Sequence, residues 1–392
     1  MKVALVRNRY TEFGGAERYL DTLIRRLHAL GHEVHIFANE WKDVKDVSGS
    51  CLGGGTQRSG LCFHRVPMIK GLSILKVISF ALNAKRLLKR ERFDIIHSFE
   101  RTLFQDIYRA GDGCHREWLV QRRRFEPWWK TGLVRINPLH LMFLWIEKRL
   151  FQPKNTKVII ANSRRGRSEI IRHYRFPQDR IQVIYNGVDF NRFHPSNRQR
   201  YRVPVRRELS ISESDSIILF MGSGFERKGL RFAIQAVARL RDPKLKLVVV
   251  GRDRFTRYER LSSKLGVEDS VFFVGSTTQP EKWYGAADLF LLPTVYDPFS
   301  NACLEALASG IPVVTTRMNG VSEWIEEGVT GISLNDPADI AGMAYAIKAM
   351  LRTRDTGMFF RRKEKMDCLS FENHVEKTLD IYRKIIKKEH GN

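Results

Sequence analysis

Short apolar runs alternate with amphipathic stretches along the first half of the chain. The pattern predicts a buried strand at residues 3–6 and, directly after it, a helix at residues 14–30. Strands that alternate with helices in this way are typical of a parallel, doubly wound sheet. Further strands are predicted at 33–38, 93–97, 105–108, 158–162 and 181–185, and further helices at 72–88 and 165–174.

The alternation stops at a polar, arginine-rich stretch, residues 191–216, which we interpret as a linker. A second series of strands and helices follows it. We therefore predict an α/β protein of two Rossmann-like, doubly wound domains, spanning residues 1–190 and 191–368. Ligands of such sheets bind beyond the carboxyl ends of the strands, so a cleft between the two domains is the expected reaction site. The second series has strands at 217–221, 246–250, 271–274, 289–292 and 312–316 and helices at 230–240, 257–265, 281–286 and 302–308.

Composition favours a folded protein with an anionic neighbour. The chain has 392 residues, of which 43% are hydrophobic, enough for two or three domains with real cores. Lysine and arginine outnumber aspartate and glutamate by 67 to 43, which gives a formal net charge of +24. A polyanion or an anionic membrane surface is therefore an expected partner.

Cysteine usage and hydropathy address the compartment. The five cysteines are scattered and include no Cys-x-x-Cys pair, so we expect neither a disulfide framework nor a zinc site. The apolar run at residues 3–6 is too short for a secretory signal, and no stretch approaches the ~18 apolar residues of a spanning helix. The sequence therefore predicts a cytoplasmic protein.

The most informative segment begins at Asp297 and contains Glu305, eight positions later. The acids need not share a helix face, because Asp297 precedes a predicted helix and Glu305 lies within it. Both can then converge on a ligand at the helix N-terminus, where free amides and the helix dipole favour an anion. The alternative is an Asp-Pro turn followed by a solvated glutamate.

Glycines at three strand ends suggest close approach of the backbone to a ligand. Gly14 and Gly15 precede Glu17 after the first strand, although a simple turn explains them equally well. Gly222 opens a loop that leads to Arg227 and Lys228, two cations able to neutralise a diphosphate unless they are merely solvated. Gly275 and Ser276 end a third strand and could form a shelf for a flat base, or a plain strand end.

Taken in order, these motifs resemble family 4 of the retaining glycosyltransferases, which have the GT-B fold. The resemblance spans nearly the whole chain, and residues 225–229 and a basic insertion are most similar to those of the glucosyltransferases that extend the inner-core heptose of bacterial lipopolysaccharide. It implies that the segment 369–392 is a helix that crosses back to the first domain. The motifs are Gly-Gly-x-Glu-Arg (14–18), Asn-Gly-Val-Asp (186–189), Gly-x-x-x-x-Arg-Lys-Gly (222–229), Val-x-Phe-x-Gly (271–275), Ala-Ala-Asp-Leu-Phe-Leu-Leu-Pro (286–293), acid-x7-Glu-Ala (297–306) and Ser-Gly-Ile-Pro-Val-Val (309–314).

The resemblance also implies roles for single residues. Arg227 and Lys228 would hold the diphosphate of a UDP-sugar, and Glu305 would bind the ribose hydroxyls. Asp297 stands where the family has glutamate and would contact the donor sugar; its side chain is one methylene shorter, which leaves the identity of the sugar open. The remaining expected contacts with the nucleotide-sugar are Gly14, Gly15, Glu17, Gly222, Gly275, Ser276 and the helix N-terminus at Asn301, Ala302 and Cys303.

The expected chemistry needs no cofactor. Positive charge and helix amides can stabilise a leaving UDP, and the sequence has neither an Asp-x-Asp motif nor a His/Cys cluster, so no metal is expected. In retaining members of this fold the acceptor hydroxyl is thought to attack from the face that the phosphate leaves, which implies no protein nucleophile. Asp112, beyond a predicted strand, is assigned a role beside the donor sugar or the acceptor hydroxyl; the alternative is an Asp-Gly turn.

An insertion at about residues 115–151 interleaves cations with four of the seven tryptophans. Such a segment suits the surface of an anionic bilayer, with rings at the headgroups and cations on phosphates. Nucleic acid is the alternative partner, less favoured because the rest of the chain suits a sugar nucleotide. A third interpretation is a buried helix with a solvated basic face. The predicted membrane contacts are Arg122, Arg123, Arg124, Trp128 and Trp129.

These observations predict a retaining, metal-independent hexosyltransferase that moves glucose from UDP to a lipid-linked, anionic acceptor, such as the inner-core heptose of lipopolysaccharide. It would be peripheral on the cytoplasmic face of the inner membrane. Two other functions stay open: a nucleotide-sugar epimerase or hydrolase of the same fold, and a basic nucleic-acid-binding protein.

Overall fold

The computed structural model describes residues 1–10, 15–41, 50–51, 55–58, 61–128, 132, 134, 136–352 and 366–390. The chain divides into two compact units. Unit 1 comprises Met1–Gly187 and Phe371–Asn392, and unit 2 comprises Val188–Ser370. The predicted boundaries were at residues 190 and 368.

Unit 1 is built on a largely parallel sheet in the order β11-β10-β9-β8-β1-β3-β7-β6-β5. The central strand β1 is apolar after Lys2, and its last four residues are buried, as expected for a parallel strand covered by helices on both faces. The strands are β1 (Lys2–Val6), β2 (Arg9–Tyr10), β3 (Glu33–Ala38), β4 (Glu40–Trp41), β5 (Ser50–Cys51), β6 (Gly55–Arg58), β7 (Leu61–Arg65), β8 (Ile95–Ser98), β9 (Ile107–Ala110), β10 (Val158–Ala161) and β11 (Ile181–Val183).

In the described residues of unit 1, helices alternate with these strands, and one further helix comes from the far end of the chain. They are α1 (Gly15–Ala29), α2 (Ser73–Leu88), α3 (His115–Arg123), α4 (Pro138–Leu150), α5 (Arg164–Tyr174) and α13 (Phe371–His390). Helix α13 packs on α1, and its Val375, Leu379 and Tyr382 belong to the same buried cluster as Leu20 and Leu23. The core of unit 1 is therefore completed by residues that follow unit 2 in the sequence.

Unit 2 has a fully parallel sheet in the order β14-β13-β12-β15-β16-β17. Its central strand β12 is buried at every position. The strands are β12 (Ser216–Met221), β13 (Leu245–Val250), β14 (Val271–Gly275), β15 (Leu289–Leu292), β16 (Val313–Thr316) and β17 (Gly331–Leu334). The helices are α6 (Asn197–Glu208), α7 (Phe225–Lys228), α8 (Leu230–Leu240), α9 (Thr256–Lys264), α10 (Pro280–Ala286), α11 (Asn301–Ala308) and α12 (Ile340–Arg352).

The linker predicted at residues 191–216 is wrong, because helix α6 lies within it. Arg198, Arg202 and Arg206 follow one another at helical spacing and all donate to the buried carboxylate of Asp288, at 2.7 to 2.8 Å. Asp288 also accepts the amide of Ile217. The helix is held by charge pairing at the start of the sheet, a signal that hydrophobic periodicity does not contain.

Two further findings concern the cysteines and the helices. Cys62 on β7 is disulfide-bonded, which the scattered cysteines of the sequence did not indicate. Among the described residues, no helix is both long enough and apolar enough to cross a bilayer.

Candidate active site

The predicted cation and acid of unit 2 meet at the carboxyl edge of its sheet. Strands β12 and β15 are neighbours; the loop after β12 leads into α7, which ends at Lys228, and the loop after β15 carries Asp297. Lys228 Nζ donates to Asp297 Oδ2 in an ion pair, and the two side chains are only 10% and 6% exposed. A buried, oriented positive charge is thus present where strands of a parallel sheet end.

The electrostatics of this pair keep Asp297 ionised. Burial acts to raise the pKa of its carboxyl, but the charges of Lys228 and Arg227 outweigh burial and hold the pKa below its ordinary value. Arg227 Nη1 donates to the carbonyl of Tyr296 at 3.3 Å, next to Asp297 in the chain. Two cations and one carboxylate therefore share this loop, with a net positive charge.

Glycine is required at the turn that brings Lys228 to the pair. Gly229 has φ of 80°, and a Cβ there would lie 1.9 Å from the carbonyl oxygen of Pro293. At Gly222 φ is 153°, and a Cβ would lie 3.5 Å from Lys228 Cε. A side chain at Gly229 would displace the loop that leads to Asp297.

Helix α11 begins directly after Asp297, and its first turn is fixed by Asn319, which the sequence reasoning missed. Asn319 is fully buried; its Oδ1 accepts the amide of Ser300 at 3.1 Å, and its Nδ2 donates to Cys303 Sγ at 3.3 Å. Ser300 caps the helix by accepting the amide of Cys303. The Cys303 amide is therefore engaged by the cap, whereas Asn301 and Ala302 lie at the partly exposed start of the helix. The Asn-Gly pair after β16 was the available signal.

Glu305 lies on the same helix, in a mostly apolar setting. Tyr284 of α10, a second residue that the sequence reasoning missed, donates from its hydroxyl to Glu305 Oε2 at 3.0 Å. Burial raises the pKa of Glu305 to about 7, even though the hydrogen bond from Tyr284 acts to lower it. Glu305 is partly exposed as a residue, so a ligand at the start of α11 can reach it.

The predicted base shelf lies at the end of β14, two strands from β12 in the same sheet. Gly275 has φ of 88°, and its carbonyl accepts the amide of Gly251 at 2.8 Å. Gly275 and Ser276 therefore share the carboxyl edge with Lys228, Asp297 and the start of α11.

In unit 1, Asp112 follows β9 and is 73% exposed. Its loop is held by Arg101, whose guanidinium lies 3.7 Å from Asp112 and donates to the carbonyl of Gly113 at 2.9 Å. Arg101 in turn pairs at 3.0 Å with Glu147, which is fully buried and also accepts the amide of His115 at 2.7 Å. Glu147 thus anchors both the Asp112 loop and the start of α3.

The remaining predicted residues of unit 1 are placed only in part. Gly14 lies outside the described residues, and Gly15 and Glu17 lie at the start of α1. Of the predicted membrane contacts, Trp128 is 86% exposed, Arg123 and Arg124 are exposed, and Arg122 is paired with Glu126 at 2.7 Å. Trp129 lies outside the described residues. In the described ranges no group of three or more His, Cys, Asp or Glu side chains forms a candidate metal site.

Two Rossmann-like units, with cations, a helix N-terminus and acids at the carboxyl edge of the second sheet, define a GT-B glycosyltransferase. Models of two families match the chain: "Glycosyltransferase Family 4" over residues 13–192 and "Glycosyl transferases group 1" over residues 204–365. The D-inositol 3-phosphate glycosyltransferase of Pseudarthrobacter chlorophenolicus is 32% identical over 367 residues, which cover 86% of this chain and 82% of the relative. The chain therefore belongs to glycosyltransferase family 4.

Lipopolysaccharide enzymes are also among its relatives. The lipopolysaccharide glucosyltransferase WaaG of Escherichia coli is 26% identical over 346 residues, 86% of each chain. A crystal structure of WaaG, described as a glycosyltransferase involved in lipopolysaccharide biosynthesis, matches with a TM-score of 0.79 and 25% identity, over 97% of this chain and 99% of that one. The predicted α/β, GT-B architecture is confirmed by this match.

Proposed function

We propose that this glycosyltransferase moves a hexose, glucose, from a UDP-sugar to a lipid-linked anionic acceptor, the inner-core heptose of lipopolysaccharide, with retention and without a metal. The observation that carries the proposal is the buried pair of Lys228 and Asp297 beside the N-terminus of α11. A fixed cation and helix amides are suited to a departing diphosphate, whose charge is largest in the transition state.

Four residues of unit 2 have roles in this reaction. Lys228 and Arg227 neutralise the diphosphate, and Asp297 orients Lys228 while it accepts hydroxyls of the donor sugar. Glu305 accepts the ribose hydroxyls. No protein nucleophile takes part. The oxygen of the acceptor hydroxyl bonds to the anomeric carbon while the bond between that carbon and the phosphate oxygen breaks. The departing phosphate oxygen takes the proton of the acceptor hydroxyl. Asp112 of unit 1 contacts the donor sugar or the acceptor hydroxyl.

The lipid-linked acceptor is supported by the surface of the insertion and by the names of the WaaG relatives. Helices α3 and α4 pack against each other, and large apolar side chains on and beside them are exposed: Val120 (43%), Trp128 (86%), Ile136 (70%), Leu141 (51%) and Trp145 (39%). Exposed arginines accompany them. Apolar side chains that insert among headgroups, with cations on lipid phosphates, would hold the enzyme on the cytoplasmic face of the inner membrane.

Transfer from UDP-glucose to heptose-containing lipopolysaccharide core, with and without EDTA, tests the reaction. Glu305→Ala should lower kcat/KM roughly 30- to 1000-fold, because a charged hydrogen-bonding partner of the ribose is lost. Glu268→Ala, an exposed acid of the same unit, is the matched control. Unchanged kinetics in a folded Glu305→Ala protein would exclude the site, and consumption of UDP-glucose without acceptor would favour the epimerase or hydrolase. Loss of transfer in EDTA, restored by a divalent metal, would contradict metal independence.

Co-sedimentation with anionic vesicles tests the membrane contact. Arg123 and Arg124 are exposed and Arg122 is only partly exposed, so the first two should dominate. Changing all three to glutamine should weaken binding by about 2 to 3 kcal/mol at low salt and by much less at high salt. Glutamine at Arg239 and Lys244, exposed cations of unit 2, is the control. Equal sedimentation of wild type and triple variant would reject this surface, and a nucleic-acid mobility shift would then test the alternative.

A further inference from the structure

The hydroxyl of Tyr284 has two acceptors and one proton. Its oxygen lies 3.0 Å from Glu305 Oε2 and 3.1 Å from the main-chain carbonyl oxygen of Ala302, one turn earlier on α11. A phenol donates a single hydrogen bond and can also accept one. Because Tyr284 is only 1% exposed, water does not easily replace either partner. The single proton of Tyr284 therefore goes to one acceptor or the other, and which one it reaches depends on the protonation state of Glu305.

A protonated Glu305 donates to the Tyr284 oxygen, and Tyr284 then donates to Ala302. When Glu305 is ionised, the Tyr284 proton turns to Glu305 Oε2 and leaves the carbonyl of Ala302. Both arrangements have good geometry in one set of atomic positions, so a ligand can select between them without backbone movement.

The charges around Glu305 favour neither state strongly. Arg192 acts to lower the pKa of Glu305 and Glu281 acts to raise it, but these two form an ion pair with each other at 2.6 Å. The thiol of Cys303, also on α11, is held neutral because burial raises its pKa to about 12. In the described part of the chain Glu305 itself makes no ion pair, and burial dominates, with a resulting pKa of about 7.

We propose that Tyr284 is a positioning residue for Glu305, and that binding of the nucleotide ribose expels a proton from this Tyr284–Glu305 pair. Two ribose hydroxyls that both donate to Glu305 use both of its oxygens as acceptors, which the carboxylate offers and the protonated acid does not. The carboxyl proton leaves to solvent and the Tyr284 hydroxyl turns from Ala302 to Glu305. The inference rests on the proposed function, because it assumes that Glu305 receives the ribose. It adds a dependence of donor affinity on pH that the roles assigned above do not contain.

The expected coupling between donor binding and proton release can be given as numbers. If only the ionised state binds, the apparent Kd rises as the ionised fraction falls, roughly tenfold for each pH unit below about 7. At pH 7 about half a proton should be released for each ligand bound, and near pH 8.5 almost none.

Isothermal titration calorimetry with UDP-glucose tests this directly. Titrations at pH 7 in two buffers of different ionisation enthalpy give the number of protons released, and Kd is measured from about pH 5.5 to 8.5. UDP-glucose is the probe because the terminal phosphate of UDP itself titrates near pH 6. We expect proton release at pH 7 and a Kd that rises toward acid. A Kd independent of pH, with no proton release, would overturn the inference alone.

Three variants separate positioning from structural support. Tyr284→Phe removes the hydrogen bond that favours the carboxylate. The acid limb, which is the pH range in which Kd rises as the pH falls, should therefore move to higher pH. Glu305→Gln cannot ionise and should bind weakly at every pH without proton release. Tyr258→Phe, which removes another buried hydroxyl of unit 2, should leave the limb in place. An acid limb that stays in place in Tyr284→Phe overturns the role of Tyr284. Failure of the wild type to bind UDP-, ADP- or GDP-glucose at any pH would overturn the proposed function and this inference with it.

Discussion

Asp297 in unit 2 and Asp112 in unit 1 both follow a strand at the carboxyl edge of their sheet, but their surroundings are opposite. Asp297 is buried against Lys228, whereas Asp112 is 73% exposed, with its nearest guanidinium 3.7 Å away. The carboxylate that is buried near Asp112 is instead Glu147, which pairs with Arg101 behind the Asp112 loop. In unit 2 the candidate functional carboxylate, Asp297, is itself buried. In unit 1 the nearby buried carboxylate is Glu147, which supports the loop of the exposed candidate Asp112.

Because of this difference, we expect the same substitutions to affect stability and activity in unit 2, and different substitutions to affect them in unit 1. A buried ion pair is costly to form and more costly to break, because the remaining partner is left uncompensated. Substitutions at Lys228 should therefore damage folding and transfer together. In unit 1 the exposed Asp112 can be changed without cost to folding, whereas a change of the buried Glu147 should destabilise the unit.

The largest effect is expected for Lys228→Ala. It leaves Asp297 charged and buried, so the free energy of unfolding of unit 2 should fall by about 3 to 5 kcal/mol, and turnover should fall roughly 100- to 1000-fold. Urea denaturation and initial rates measure the two effects. The double variant Lys228→Met, Asp297→Asn should regain most of the stability and none of the turnover. Equal destabilisation by the single and double variants would contradict a buried pair.

Acid should unfold unit 1 before unit 2. Burial, reinforced by Arg109, holds the pKa values of His97 and His374 in unit 1 well below their ordinary value, whereas residues 188–370 contain one histidine, His194. Both side chains are neutral when folded and take up protons on unfolding below about pH 6.5. Each should therefore remove about 1.4 kcal/mol of stability per pH unit as the pH falls from about 6.

Hydrogen exchange resolved by unit, measured at pH 7 and pH 5, detects this loss. His374→Gln should flatten the dependence of unit 1 on pH. Earlier opening of unit 2 at pH 5 would contradict the assignment.

A smaller effect is expected for Glu147→Gln. Glutamine keeps one oxygen for the amide of His115 but leaves Arg101 without its carboxylate, which should cost about 1 to 3 kcal/mol of stability. Transfer should fall as well, because the Asp112 loop loses its anchor. Glu126→Gln, which breaks only the pair with Arg122 near the surface, should change stability by less than about 1 kcal/mol. Equal effects of the two variants would contradict the conclusion that the buried Glu147–Arg101 pair supports the fold more than the Glu126–Arg122 pair near the surface.

Asp112→Asn should have the smallest effect on folding, within about 0.5 kcal/mol, because the side chain is exposed. Turnover should nevertheless fall roughly 10- to 100-fold, the equivalent of one charged hydrogen bond to a reacting group. Thermal unfolding and steady-state kinetics on the same preparation check both parts. Unchanged turnover would remove Asp112 from the site.

The fold was predictable because both central strands, β1 and β12, are apolar at every position after the first, a pattern typical of parallel sheets. Helix α6 was missed because it is anchored by three arginines on Asp288, and a polar helix held by distant charge has no hydrophobic period. The same reason applies in the site. Lys228 and Asp297 stand in local motifs, whereas Tyr284, Asn319 and Glu147 act through contacts with residues 16 to 46 positions away.

The placement of α13 has a consequence for the order in which the protein can fold during synthesis. Residues 188–370 form a complete unit between β11 and α13, so unit 2 can fold as soon as it leaves the ribosome. Unit 1 begins first but lacks Val375, Leu379 and Tyr382 until α13 emerges. At typical elongation rates, residues 188–370 take roughly 10 to 40 seconds to synthesise. During that time α1 exposes an apolar face, which makes the nascent N-terminal half a substrate for chaperones.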